Sequence, residues 1–495
     1  MFFGFWDTNK LTAVPDTVVT DKIIPLNAAD DTAVLRSVVV VLSYRFDDVL
    51  DPELLRTSFE KLLDRPGWRK LGARLRQNAK TGKLEYHIPE RYDAKRPIVN
   101  FSHVSHNCSI QEHPTASRLP RPTERPAVVA DPNDFDDLTC NKDTPKTVNE
   151  YLTRDVAQLC LHVVSFTDST LISVSLPHTL TDGTGGALIF KCWALVLQGR
   201  ESEIPPFHAY DHDPLATFGD TTQQSYIHER RLLTGWRKWL FIAHQMYDAW
   251  RYQTASRIVC VPGAFLATQR KKAIAEIQAE TGDDKAFVSD NDVLTAWFTR
   301  LCVSIFPRNS NKTVRIMNAF SLAAVLGNDR LPSAKAYISN AATEIYSFIK
   351  VQDFFKRPLS YTAWAVRKSM MQEGTREQVE ALAHLKKQNV HTWPIFGDAS
   401  MEMMSYSNWT KGKYFETDFS PAILKVGFAP AKRAEKPGFA SMVQFNAWTT
   451  GFDLRNLMPI MGKDAAGNYW LQGPLREITW NQIDKELKKA EGGLY

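Results

Sequence analysis

"SLPHTLTDGTGG", residues 175–186, joins a strand-like run to a helix-like run and places one histidine at the seam. Upstream, "AQLCLHVVSFTDSTLISVSLPH" (157–178) holds two apolar, β-branched runs around the turn "TDS", the pattern of a β-hairpin. Ile172, Val174 and Leu176 share one face by period-two alternation. Pro177 has no N–H for the ladder and ends the strand, so His178 is delivered at a strand end. Downstream, "ALIFKCWALVLQG" (187–199) is apolar nearly all round, which predicts a buried helix with Gly199 as its C-cap. An imidazole, with an unperturbed pKa of about 6.5, is suited to proton transfer near neutral pH. Asp182 can orient that ring or hold the loop, and Gly183 can take a positive φ and clear space beside a substrate. The same spacing also suits a structural histidine next to a helix-capping aspartate.

The rest of the chain narrows the choice. It has 495 residues, enough for two to four domains at roughly 150 residues each. The net charge of +5 is spread along the chain, and no basic tract marks a nucleic-acid arm. The densest basic triplet, Arg270-Lys271-Lys272, reads as a solvated helix face. The six cysteines lack C-x-x-C spacing, so no zinc ribbon or redox motif is written, and no metal site is expected. His208/His212 and His103/His106/His113 lie in loop-like stretches rather than on a helix face. "MFFGFWDTNK" lacks the n- and h-regions of a signal peptide, and no apolar run approaches a membrane span. A cytoplasmic protein with free thiols is the expectation. "SVVVVLSYRF" (37–46) predicts a strand, "PELLRTSFEKLLDR" (52–65) a helix and "KLEYHIPE" (83–90) a strand, while 110–145 reads as a long surface loop. The Pro/Asp/Thr-rich segment 201–225 reads as a linker between residues 1–200 and 226–495. "FSL" (320–322), "TWPIF" (392–396) and "FNAW" (445–448) could line an apolar pocket, although core packing is the commoner role for such residues. G-x-G-x-x-G, G-x-S-x-G, Walker A and H-E-x-x-H patterns are all missing.

"HTLTDG" (178–183) resembles the H-x-x-x-D-G signature of the BAHD acyltransferases and their fungal relatives, the trichothecene O-acetyltransferases among them. Four further stretches resemble family segments in the same order: "VSDNDVLTAW" (288–297), "VRIMNAFSL" (314–322), "LPSAKAYISNA" (331–341) and "SNWTKGKYFETDFSPA" (407–422). The resemblance implies a mixed α/β fold of two chloramphenicol-acetyltransferase-like domains with a channel between them. It implies His178 as general base midway along that channel, with acyl-CoA, expected to be acetyl-CoA, entering as co-substrate from one face. A small hydroxylated acceptor, a secondary metabolite, would enter from the other. It gives Asp182 a structural, orienting role, and it points to Lys271, Lys272, Ser407 and Trp409 for CoA. Gly183, Asn340, Asp418 and Phe419 fall on structural motif positions, and a monomer that binds neither nucleic acid nor membrane is expected.

Departures from the family pattern matter. D-F-G-W-G is here Asp418-Phe419-Ser420-Pro421-Ala422, without its glycines and tryptophan. No arginine stands where the partner of Asp182 is expected, and Arg315 is near but offset. Three alternatives share the scaffold: a carrier-protein-dependent condensation, another histidine-dependent reaction, or a non-catalytic binding protein. Condensation domains carry H-H-x-x-x-D-G, and here Pro177 takes the place of the first histidine.

Overall fold

The computed structural model describes residues 14–389, 394–451 and 454–491, so "MFFGFWDTNK" and residues 392–393 of "TWPIF" lie outside the described residues. The expected hairpin is present: strands Cys160–Ser165 and Thr170–Pro177 pair antiparallel, with Leu161 opposite Val174. Thr170–Pro177 is the central strand of a five-stranded sheet, flanked on its other side by Val38–Phe46. Asn100–Ser105 and Ala440–Thr449 form its two edges. The apolar alternation predicts one buried face, but Leu171, Ser173 and Ser175 on the other face are buried as well. Burial of that polar face is tolerated because Ser173 and Ser43 hydrogen-bond across the ladder at 2.8 Å.

Helix Gly183–Leu197 begins at Gly183 rather than at Ala187, because Asp182 caps it and draws the glycines into its first turn. Gly199 follows the C-cap residue Gln198 with φ +69, a left-handed position that favours glycine. This helix packs on Pro52–Leu63, itself started by the cap of Asp51 and by Pro52 in its first turn. The contact is aromatic: the Phe59 and Trp193 rings lie 4.5 Å apart, and Trp193 Nε1 donates to Ser58 Oγ at 2.9 Å.

A seven-stranded mixed sheet makes the second layer, in the order Ala342–Lys350, Thr313–Ser321, Glu402–Asn408, Leu457–Lys463, Tyr469–Arg476, Thr254–Val261, Ala127–Ala130. Val314, Ile316, Met404, Tyr406, Met458 and Ile460 turn from it into one core together with helix Asp290–Cys302. Each sheet takes one strand from the other half of the sequence: Ala440–Thr449 pairs with Val38–Phe46, and Ala127–Ala130 pairs with Thr254–Val261. The loop expected over 110–145 therefore contains a strand, and it buries Ile110, Leu119, Phe135 and Leu138 against Val164, Phe166, Leu171 and Met442. A buried, bidentate pair reinforces the exchange: Arg433 donates to both oxygens of Asp48 at 2.8 Å. Segment 201–225 is packed too, with Phe207 bridged to Ala336 and its ring edge-on to Trp68 at 5.7 Å.

No helix among the described residues is long and apolar enough to cross a membrane. All six cysteines are free thiols, five of them buried.

Candidate active site

His178 is held through its own peptide from both halves of the chain. Its N–H donates to the Val38 carbonyl at 2.9 Å, extending the central ladder past Pro177. Its carbonyl accepts from Asn340 Nδ2 at 3.0 Å. Nδ1 is buried without a hydrogen-bond partner, while the residue as a whole keeps an accessible edge. Burial lowers the imidazole pKa below 6.5, and nearby carbonyl oxygens and the Asp182 charge oppose the shift in part. The ring is therefore neutral at pH 7 and able to accept a proton.

Asp182 makes no hydrogen bond to His178. Its Oδ1 accepts from the N–H groups of Thr184 (2.8 Å) and Gly185 (3.0 Å), and its Oδ2 accepts from Ala341 N–H at 2.9 Å. The carboxylate thus caps the helix and fastens it to segment 331–341, so of the two sequence readings the loop-holding one is realised. Three backbone N–H groups replace the family arginine as its partners. Arg315 does not reach it: Nη2 of Arg315 donates to Met403 Sδ at 3.0 Å.

Further contacts hold the histidine turn from several sides. Thr181 Oγ1 donates to the Ile338 carbonyl at 2.6 Å, and Tyr414 O–H donates to the Gly183 carbonyl at 2.6 Å. Tyr86 O–H donates to the Thr179 carbonyl at 3.1 Å. The glycines answer to space rather than to φ. Gly183 is not among the residues with positive φ, but a Cβ there would lie 2.6 Å from Trp409 Nε1. At Gly185 a Cβ would lie 2.2 Å from Thr181 Oγ1 and 2.3 Å from the Ile338 carbonyl.

Sequence reading missed Asp30. Its Oδ1 accepts both N–H (2.7 Å) and Nδ2 (2.8 Å) of Asn340, the residue that holds the His178 carbonyl. Oδ2 is buried with no partner, and burial raises the carboxyl pKa to about 7 against the stabilising bonds from Asn340. No motif flags this residue, because its role exists only once residue 340 lies beside residue 30. A carboxyl raised from 3.8 to about 7 contributes stability that is complete below pH 4 and is lost as the pH rises to about 7. Asp30→Asn removes that titration. The unfolding free energy of the wild type, relative to Asp30→Asn, is expected to fall by up to about 4 kcal/mol between about pH 4 and 7 and to level off above, read as a falling melting temperature. Equal pH profiles for the two proteins would show that Asp30 does not titrate in this window.

The remaining sequence candidates are dispersed. Trp409 packs on Gly183, donates to Ser407 Oγ at 2.8 Å and stacks edge-on against Phe445, which brings Trp409 and Ser407 to the histidine turn. Lys271 and Lys272 are exposed in the middle of helix Gly263–Thr281, on a solvated helix face. Asp418 Oδ1 accepts from Ser420 N–H, and Phe419 is buried against Phe46 and Trp193, so this loop is a structural wedge. His208 binds the Arg330 carbonyl and His103 binds Ser165 Oγ. A surface groove lined by Trp68, Phe207 and Tyr210 does not include His178.

No family model matches the sequence, but relatives match along its whole length. The chain is 75% identical over 491 residues to a Penicillium decumbens protein designated transcriptional regulator calD, covering 98% of this chain and 99% of that one. It is 36% identical over 486 residues to acetyltransferase adrJ of Penicillium roqueforti, covering 96% and 97%. It is 32% identical over 489 residues to O-acetyltransferase PaAT-2 of Phomopsis amygdali, covering 96% and 99%. Among solved structures, F. sporotrichioides TRI101, crystallised with coenzyme A and T-2, shares the fold at a TM-score of 0.65 and 16% identity over 94% of this chain and 98% of that one. Vinorine synthase shares it at a TM-score of 0.57 and 13% identity, covering 97% and 95%. Fungal acetyltransferases aligned from end to end and a shared two-domain fold together show that the chain belongs to the fungal branch of the BAHD-type acyltransferases.

Proposed function

We propose that the protein transfers an acyl group, acetyl in the first instance, from acyl-CoA to a hydroxyl of a small secondary metabolite, with His178 as general base. The observation that carries this reading is the strand-end position of His178, whose peptide is pinned to Val38 on one side and Asn340 on the other. Because Nδ1 faces the interior, we assign the proton transfer to Nε2. Nε2 takes the proton of the acceptor O–H as the oxygen attacks the thioester carbonyl carbon. The tetrahedral oxyanion then collapses, the C–S bond breaks, and the CoA thiolate recovers the proton from the imidazolium. General-base assistance of this kind contributes about 10²–10⁴ in rate, and alignment of the two substrates adds to it. No covalent acyl-enzyme is required.

A channel between the two sheets is the expected path of both substrates. TRI101 is described with coenzyme A bound, which supports acyl-CoA as co-substrate here. We place the CoA thioester arm beside Ser407 and Trp409, since both lie against the histidine turn, and its phosphates near Lys271 and Lys272. A cytoplasmic location is the compartment that suits the free cysteines, and a monomer is the expected state.

A second reading, a regulator on the same scaffold, comes from the designation of the Penicillium decumbens relative. The experiment that separates the two is thiol release from acetyl-CoA in the presence of hydroxylated polyketides and terpenoids. Acceptor-dependent thiol release that His178→Ala abolishes supports the transferase. Release that no acceptor stimulates above the His178→Ala background removes it.

A further inference from the structure

Helix Gly235–Arg251, "GWRKWLFIAHQMYDAWR", turns apolar side chains outward as well as inward. Inward, Phe241 and Ile242 are buried with Leu233, Ile395 and Met401. Asp248 fixes the C-terminal half, since Arg455 donates to it at 2.5 Å and Arg476 at 2.8 Å. These contacts anchor the helix to the rest of the fold. The outward face carries Trp236, Trp239, Leu240, Met246, Tyr247 and Trp250, all exposed. At 3.6 residues per turn the six fall in one stripe about 120° wide. The three tryptophans are 73%, 62% and 80% exposed, and among the described residues no other tryptophan is exposed. An apolar ridge concentrated in this way on one helix marks an interaction surface.

Charge and size indicate what the ridge meets. Arg237, His244 and Arg251, at steps of seven residues, follow one edge of the stripe, and all three are exposed. The one acid of the helix, Asp248, is committed to Arg455 and Arg476, so this edge is basic. Arg230 and Arg231, exposed beside Glu229, add net positive charge just before the helix. The helix is about 25 Å long, and a ridge one helix wide offers a few hundred Å², short of the roughly 800 Å² per partner of a stable protein interface. Tryptophan and tyrosine edged by arginine suit a bilayer surface instead. The rings enter the boundary of the acyl layer, the indole N–H and phenol O–H stay at its polar side, and the guanidinium groups meet lipid phosphates and carboxylates.

We propose that helix Gly235–Arg251 seats the protein on an anionic lipid bilayer, with the helix axis in the plane of the surface. This is independent of the transferase reading. It goes against the expectation of no membrane contact, which followed from the lack of an apolar span; a helix lying in the interface needs no span. The test is flotation of the full chain with vesicles of phosphatidylcholine mixed with phosphatidylserine, and with vesicles of phosphatidylcholine alone. The wild type is expected to float with the mixed vesicles and to bind at least about tenfold more weakly without phosphatidylserine or at high salt. Trp236→Ser/Trp250→Ser is expected to weaken binding to the mixed vesicles at least about tenfold. Arg237→Gln/Arg251→Gln is expected to cut the preference for phosphatidylserine about tenfold. Both variants should melt with the wild type, because the replaced side chains are exposed. Lipids brominated in the acyl chain should quench the tryptophan emission of the wild type more than that of the tryptophan variant. If the tryptophan variant melts lower, the arginine variant and the quenching of the wild type decide instead. Failure of the wild type to float with the mixed vesicles overturns the proposal, as does flotation that both variants retain in full, which would place the contact on another face. A dimer in solution that the tryptophan variant dissociates assigns the ridge to a second copy of the chain. Flotation seen only after removal of residues 2–13 assigns it to the chain's own N-terminal segment. Either result also overturns the proposal.

Discussion

Replacing His178 with alanine is expected to lower the rate of acyl transfer by about 10² to 10⁴-fold while leaving the protein folded. The bonds that hold this residue run through its backbone, to Val38 and from Asn340, and alanine keeps both. The expected signature is a fall in kcat with circular dichroism and melting behaviour close to wild type. A variant that keeps more than about a tenth of the wild-type rate would exclude the imidazole as the base. The pH profile supplies the second readout. The base works only when neutral, and burial holds its pKa below 6.5, so the acid limb of kcat/KM lies below pH 6.5 rather than above it. The Asp182 charge acts on the ring in the opposite direction to burial, favouring protonation. Asp182→Asn therefore moves the acid limb to lower pH.

Asp182→Ala is expected to be the most damaging substitution to the framework of the site. It removes the acceptor for two N–H groups at the helix start, worth about 1 kcal/mol as a cap. It also leaves the Ala341 N–H, 2.9 Å from Oδ2, without a partner, worth about 1–3 kcal/mol more. The sum is a loss of about 2–4 kcal/mol, read as a drop in melting temperature. Ala341 adjoins Asn340, so the anchor of His178 from the second half of the chain loosens, and kcat is expected to fall with stability. Asp182→Asn keeps one acceptor oxygen and should lose roughly half as much. Equal melting of Asp182→Ala and the wild type would mean that the helix start is held without this carboxylate.

The elements near His178 were largely legible from periodicity. The hairpin Cys160–Ser165/Thr170–Pro177 and the helix after it come from β-branched runs, a turn and an apolar run, all local signals. The helix start at Gly183 was missed because three glycines read as a loop until the Asp182 cap is seen to supply their N–H acceptors. The strand Ala127–Ala130 was missed for a similar reason. Four residues in a Pro- and Asp-rich stretch carry little pattern, and their partner strand lies more than a hundred residues away.

The sequence by itself determined the chemistry on offer: a histidine at the end of a strand, an aspartate four residues on that can cap a helix or hold the loop, and glycines after it. These follow from spacing, because strand alternation and helix capping act over a few residues. Only the tertiary structure decided which groups meet. It joined residue 30 to residue 340 and residue 340 to His178, and gave Asp182 backbone amides in place of an arginine. Hydrogen bonding and desolvation depend on distance in space, and segments far apart in sequence come within 3 Å only after the two sheets have closed on each other.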